Sequence, residues 1–117
     1  MDSKKMALAC AKAMEDKKGG EITVLKVRDL TVVTDYFVIA TGTSTTQVKA
    51  LAEEVEYQLD QAGIKVLRSE GYDSKSWILL DFGNVIVHVF EPSAREYYNL
   101  EKLWADGEKV ELSDLEK

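Results

Sequence analysis

Two runs of strand-forming residues, separated by only two positions, constrain the fold of this chain more than any other feature. Residues 76–82 and 85–90 are rich in large apolar and β-branched side chains, and Gly83 and Asn84 alone lie between them. A Gly-Asn pair between two such runs is typical of a tight β-hairpin. Because a two-residue turn fixes the register of its strands, the pattern also predicts which side chains face each other.

The predicted pairing gives the hairpin two unlike faces. One face carries only apolar side chains and is predicted to lie in the core: Ile78, Leu80, Phe82, Val85, Val87 and Val89. The other, which we call the mixed face, combines large apolar groups with an acid and an imidazole: Trp77, Leu79, Asp81, Ile86, His88 and Phe90. Large rings beside polar groups are typical of interface hot spots. The mixed face is therefore interpreted either as a docking surface or as a face that the first or third helix covers.

The rest of the chain predicts a single α/β domain. A helix is expected over residues 3–16, and a second begins at a capping box of Ser44 and Gln47 and ends at Gly63. Strands in addition to the hairpin are expected at residues 22–28, 36–41 and 64–68. With a third helix after the hairpin, the order is α-β-β-α-β-β-β-α. We expect a mixed five-stranded sheet with flanking helices, in which the strand-helix-strand unit supplies parallel strands.

The third helix is predicted to start at Pro92 with a capping box formed by Ser93 and Glu96. Its buried stripe is predicted to contain Ala94, Tyr97, Leu100 and Trp104. Arg95 and Lys102 flank this stripe and are interpreted as solvated charges. After Trp104 the helical pattern fails, so residues 1–104 are predicted to form the domain and residues 105–117 a frayed acidic tail.

Charge and cysteine content narrow the classes of function. The 117 residues include 15 Lys and Arg against 21 Asp and Glu, a formal net charge of -6, which argues against gripping nucleic acid through its phosphates and favours a basic partner. The single cysteine, Cys10, cannot form an internal disulfide. Every long apolar run is broken by charge, so neither a membrane span nor a secretory signal is expected. A cytoplasmic protein is the natural interpretation.

Catalytic and metal-binding chemistry has little support in the sequence. Gly42 to Ser44 lie at a strand-to-helix junction where anions can bind, but helix capping by Ser44 explains them equally well. His88 is the only histidine, and no His, Cys or carboxylate spacing typical of a metal site surrounds it. We therefore expect no catalytic residue, no metal and no cofactor.

Five segments together carry a resemblance to a known family. They are residues 34–44, Glu70-Gly71, residues 77–83, residues 85–90 and residues 95–104. In this order they resemble the ribosomal silencing factor S family, also called the Iojap family. The resemblance covers nearly the whole chain as far as Trp104 and leaves the acidic tail outside.

The resemblance implies a protein that binds the large ribosomal subunit through ribosomal protein L-fourteen. It would block joining with the small subunit by steric exclusion and lower translation under nutrient limitation. The family's contact surface would fall on the hairpin, at Trp77, Leu79, Asp81 and His88, with Leu80 and Phe90 as neighbours. The resemblance also allows a homodimer.

Two alternatives stay open at this point. The same surface would serve a large-subunit assembly factor. The family's fold is similar to that of nucleotidyltransferases, so a small nucleotide binder that uses Gly42, Ser44 and Asp81 is a third interpretation. Such enzymes place two carboxylates two residues apart on one strand. Here Gly83 stands where the second acid would follow Asp81, which weakens the enzymatic alternative.

Overall fold

A computed structural model describes residues 2–115 of the chain as one α/β domain with a mixed sheet. The helices are α1 Ser3–Asp16, α2 Thr45–Gln61, α3 Pro92–Tyr98, α4 Leu100–Leu103 and α5 Leu112–Leu115. The strands are β1 Gly20–Lys26, β2 Tyr36–Thr41, β3 Arg68–Glu70, β4 Trp77–Asp81, β5 Val85–Phe90 and β6 Glu108–Val110. Within residues 2–115, no helix combines the length and the apolar character that a membrane span needs. The predicted fold class and the predicted order as far as α3 are confirmed.

The sheet has the strand order β3-β4-β5-β2-β1-β6. Among the strands of residues 2–115, only the central β2-β5 pair is parallel, and its neighbours on both sides pair antiparallel. In the hairpin, Leu80 lies opposite Val87 and Ile78 opposite Val89, while the amide of Phe82 donates to the Val85 carbonyl at 2.9 Å. The register predicted from the Gly83-Asn84 turn is therefore confirmed.

Each face of the sheet belongs to a different apolar cluster. Helices α1 and α2 pack on the face that carries Ile78, Leu80 and the valines of β5, and together they form the larger core. The opposite face forms a smaller cluster around Phe37, Ile39 and Phe90, which side chains of α3, α4 and Trp104 adjoin. Strand β5 is buried along its whole length because it is covered on both sides.

Capping explains both ends of α2. Ser44 Oγ accepts from the Gln47 amide at 3.1 Å, and Gln47 Oε1 accepts in return from the Thr43 amide at 2.6 Å. At the other end, Gly63 has φ +84°, and its amide donates to the Asp60 carbonyl at 2.9 Å. The predicted start and end of this helix are confirmed.

Strand β3 lies further along the chain than predicted. The expected strand at residues 64–68 is replaced by Arg68–Glu70, because Ile64 closes the end of α2: its amide donates a hydrogen bond to the Leu59 carbonyl at 2.8 Å. It lies beside β4 at the edge of the sheet, and it runs parallel to β2 as the strand-helix-strand unit predicted, because β4 is antiparallel to both β3 and β5. The partner that lies parallel to β2 is β5.

The segment after Trp104 was predicted to fray, but most of it is folded. Residues 108–110 form β6, which adds a sixth strand by pairing antiparallel with β1. Leu115 of α5 is 3% exposed and joins the larger core with α1. The expectation of five strands is wrong for this reason, and the end of the predicted tail, residues 116–117, lies outside the described residues.

The third helix is also shorter and capped differently. Glu91 is its extended N-cap and makes no side-chain capping bond, so the predicted capping box of Ser93 and Glu96 is wrong. Asn99 adopts φ +45° and ends the helix, and its side chain then accepts from the Lys102 amide at 3.2 Å to start α4. This break turns Tyr97 out of the predicted buried stripe and leaves it 80% exposed.

Arg95 joins α3 to strands β1 and β2. Its Nη1 donates to the Glu21 carbonyl at 2.7 Å and to Thr41 Oγ1 at 2.8 Å, and its Nε donates to Glu101 Oε1 at 2.9 Å. Glu21 lies where the β1-β2 register shifts and has φ +46°. The interpretation of Arg95 as a solvated charge is wrong, because this buried guanidinium supplies donors to a β-bulge and a strand end.

Replacing Arg95 should destabilise the domain far more than replacing the exposed Lys102. We expect Arg95→Met to lower the free energy of unfolding by about 3 kcal/mol, because it leaves the buried acceptors and Glu101 without their cation. Lys102→Met, measured in the same urea titration, should change it by less than about 0.5 kcal/mol. Equal effects of the two substitutions would show that Arg95 does not tie α3 to the sheet.

Candidate functional site

The structure divides the mixed face between its two strands. Ile86, His88 and Phe90, which we call the β5 row, are buried beneath α3 and α4. Trp77, Leu79 and Asp81, which we call the β4 row, are only partly buried. The sequence left a docking surface and a covered face as alternatives: α3 and α4 cover the β5 row, whereas the β4 row stays partly accessible. Strand periodicity spreads the β4 row over roughly 14 Å.

Trp77 is held among aromatic side chains at one end of the β4 row. Its ring lies opposite Phe90, with the centroids 5.1 Å apart and the planes 28° apart. Tyr98 lies on another side, with a centroid distance of 4.5 Å. The indole Nε1 donates to His88 Nδ1 at 3.0 Å. Because His88 is the diagonal neighbour of Trp77 across the strand pair, the hairpin register itself brings these two rings within reach.

His88 is buried and uncharged. It is 4% exposed, and burial lowers the pKa of its imidazole from 6.5 to about 4. Since Nδ1 accepts the indole N–H, the ring proton resides on Nε2, and within residues 2–115 Nε2 has no hydrogen-bond partner. The ring packs against Phe37 and Phe90 at centroid distances of 5.2 and 6.0 Å. His88 therefore supports the surface from below.

Asp81 lies at the other end of the β4 row, next to the turn. Its Oδ1 accepts from the Gly83 amide at 2.8 Å, which stabilises the turn of the hairpin. Within the described part of the chain, no group donates to its second oxygen, Oδ2. The carboxylate is partly exposed, so this oxygen is available to a cation presented by a partner.

The predicted site residues are thus not all on one surface. Leu80 faces the larger core beneath α2 and is fully buried, and Phe90 is 1% exposed beneath Trp77. Neither presents a side chain to a partner in this conformation. Trp77, Leu79 and Asp81 share one accessible strip, and His88 lies directly behind it.

Two exposed tyrosines lie next to the strip, and the sequence pattern did not place them there. Tyr98 is 49% exposed beside Trp77, and Tyr97 contacts Tyr98 edge to face at 5.1 Å. The helical spacing predicts Tyr97 in the buried stripe of a long helix. Asn99, a residue that tolerates a left-handed backbone, was the signal that the helix could end directly after them.

Gly71 sets the position of the Trp77 backbone. It has φ +92°, and a Cβ atom built there would lie 1.9 Å from the Trp77 carbonyl oxygen. Together with Glu70, Trp77 and Leu79 it lines a small cavity of about 240 Å³. The Glu70-Gly71 pair of the family resemblance therefore has a structural reason, which is close approach of two backbone segments.

Within residues 2–115, no three or more His, Cys, Asp and Glu side chains come together in a way suited to a metal ion. At the strand-to-helix junction, the Thr43 amide is already bonded to Gln47 and the Gly42 amide to the Phe90 carbonyl at 2.9 Å. What the arrangement provides is a strip of large apolar side chains that ends in a carboxylate.

Comparison with known proteins gives a consistent result over the whole chain. A protein-family model described as "Ribosomal silencing factor during starvation" matches residues 1–117, including the segment after Trp104 that the sequence resemblance left outside. The protein named Ribosomal silencing factor RsfS from Bacillus subtilis (strain 168) is 43% identical over 112 residues, which are 96% of this chain and 95% of that protein. The protein of the same name from Halalkalibacterium halodurans is 39% identical over 112 residues, with 96% of each chain covered.

A solved structure agrees with the fold. The crystal structure of a protein from Chromobacterium violaceum matches with a TM-score of 0.88 and 40% identity, covering 95% of this chain and 92% of that chain. The similarity therefore extends to three-dimensional structure over nearly the whole length of both proteins.

Acid should destabilise the protein through His88. Its folded pKa of about 4 lies below the unfolded value of 6.5, so the unfolded chain binds a proton between these values and the folded chain does not. Stability is therefore full above pH 6.5 and is lost as the pH falls toward 4. Between pH 7 and pH 5 we expect about 2 kcal/mol of loss in urea unfolding that is absent from His88→Phe. Parallel pH profiles for the two proteins would contradict this assignment.

Substituting Gly71 should cost more than substituting another glycine of similar backbone conformation. Gly63→Ala is the matched control, because Gly63 has φ +84° but no atom within 4 Å of an added Cβ. We expect about 1 kcal/mol of destabilisation for Gly63→Ala and about 2 kcal/mol more for Gly71→Ala, measured by urea unfolding. Tryptophan fluorescence should change only in Gly71→Ala. Equal costs would mean that the contact with the Trp77 carbonyl does not constrain the loop.

Proposed function

This chain belongs to the ribosomal silencing factor family, and on that premise we propose that it binds the large ribosomal subunit through ribosomal protein L-fourteen and blocks joining with the small subunit. Its relatives are named as ribosomal silencing factors, which supports a regulatory role on the ribosome. In this proposal, the block lowers translation when nutrients are scarce. Since ribosomal subunits join in the cytoplasm, that is the compartment in which the protein acts.

The β4 row is the observation that carries the assignment of a docking site. Trp77 and Leu79 supply partly exposed apolar area, and Tyr98 extends it on the side of α3. Asp81 Oδ2 lies at the end of the same strip, next to the hairpin turn. A protein partner that presents an apolar patch beside an Arg or Lys fits this arrangement.

The overall charge of the chain agrees with such a partner. A formal net charge of -6 favours approach to a basic protein and disfavours direct contact with RNA phosphates. Ribosomal proteins are presented on the subunit among RNA, so recognition through one of them reconciles an acidic protein with a ribosomal location.

Steric exclusion needs only a rigid body in the right place. The domain measures 33 × 32 × 25 Å, with a sheet covered by helices on both faces. A body of this thickness, docked on the face of the large subunit that meets the small one, prevents the two surfaces from touching. No chemical step and no catalytic residue enter this mechanism.

Substituting the residues at the two ends of the strip should weaken binding without unfolding the protein. We expect Trp77→Ala combined with Asp81→Lys to weaken cosedimentation with separated large subunits by more than tenfold, because the change removes an anchor and reverses a charge. Tyr57→Ala is the matched control, since Tyr57 is a 57% exposed aromatic residue on α2, on the other side of the sheet.

The same preparation distinguishes repression from assembly. Wild-type protein added to mature, separated subunits should reduce formation of the joined ribosome, and the double variant should not. Binding that leaves joining unchanged would favour an assembly role for the same surface. Cosedimentation of the double variant at the level of Tyr57→Ala would overturn the site.

A further inference from the structure

The contact between Trp77 and His88 links the exposed strip to the buried β5 row. Trp77 is partly exposed, whereas His88 is 4% exposed and offers no surface to a partner. Within residues 2–115, the indole makes one hydrogen bond, from Trp77 Nε1 to His88 Nδ1 at 3.0 Å. Its hydrogen bond to Trp77 therefore gives His88 a route by which it can influence docking without touching the partner.

We propose that His88 is a positioning residue that fixes the Trp77 indole in its docking orientation by accepting a hydrogen bond from Nε1–H. This inference rests on the proposed function, because it assigns a role within the same site. The imidazole supplies the acceptor, and Phe90 and Tyr98 limit the indole from two other sides. The anchor is thus ordered before a partner arrives.

The chemistry of the buried ring argues against a purely packing role. A phenylalanine ring would fill the space between Phe37 and Phe90 without burying any polar atom. The imidazole instead leaves Nε2 without a hydrogen-bond partner among residues 2–115, and burying an unpaired polar group is unfavourable. What the imidazole provides in exchange is the acceptor that faces Trp77.

An ordered anchor favours binding in two ways. The indole has already lost its freedom to change rotamer, so less conformational entropy is lost on association. Its N–H is already paired, so it is not stripped of water and left without an acceptor when the interface closes. Removing the acceptor should therefore weaken docking by about tenfold even though the partner never touches His88.

A pair of substitutions separates the acceptor from the ring. His88→Phe keeps a ring but removes the acceptor, whereas His88→Asn places Oδ1 near the position of Nδ1 but removes most of the ring. Three properties are measured for each variant. The first is the ¹⁵N indole resonance of Trp77, together with the rate at which the indole N–H proton exchanges with water. The others are the affinity for large subunits and the midpoint of urea unfolding. The indole resonance is assigned by comparison with Trp104→Phe.

We expect the affinity for large subunits to depend on the hydrogen-bond acceptor at position 88. We expect the urea midpoint to depend on the ring at that position. His88→Phe should shift the indole resonance, speed its exchange and weaken binding about tenfold with its urea midpoint at pH 7 retained. His88→Asn should lower the midpoint yet rescue the indole signature and most of the affinity. Affinity that follows the midpoint in both variants, or a His88→Phe protein with wild-type affinity, overturns the inference.

Trp77→Phe tests the same link from the donor side. It keeps a smaller ring but has no N–H, so it should weaken binding at least as much as His88→Phe, and adding His88→Phe to Trp77→Phe should weaken binding no further. Additive losses overturn the inference. If wild-type protein does not bind large subunits, the proposed function fails, and the indole resonance and exchange in the free variants then decide the positioning role by themselves.

Discussion

The rest of the domain depends on the register of β5. This strand pairs with β4 across a two-residue turn and with β2 in parallel, and it is buried on both faces. A shift of one residue would move its valines from the larger core to the smaller one and move His88 the other way. The same register that separates the two cores also places His88 diagonally behind Trp77. Folding and surface chemistry are therefore set by one constraint.

Local patterns made the hairpin, α1 and α2 predictable. The turn residues Gly83 and Asn84 gave the register, and the caps at Ser44 and Gly63 gave the ends of α2, because these signals act between residues that are near in sequence. The mixed face was also visible as a pattern. Whether it was covered was not, because the cover comes from α3 and α4, which pack on it from later in the chain.

What could not be predicted depends on distant partners or on one backbone angle. Arg95 has the composition of a surface residue, and only its contacts with β1 and β2 show that it is buried. Strand β6 has three residues with little apolar character, so its pairing with β1 leaves almost no signal in the sequence. Tyr97 was misplaced because a left-handed Asn99 divides a continuous helical pattern into two short helices.

The position of Arg95 also has a consequence for the order of folding. Its bond to the Glu21 carbonyl joins residues 74 positions apart, whereas the hairpin closes a turn of two residues. Because long loops cost more entropy to close, contacts of this kind form after local ones have reduced that cost. A growing or refolding chain therefore presents the β5 row to solvent until α3 docks. During that interval the apolar surface that a chaperone would recognise is larger than the strip left exposed in the finished domain.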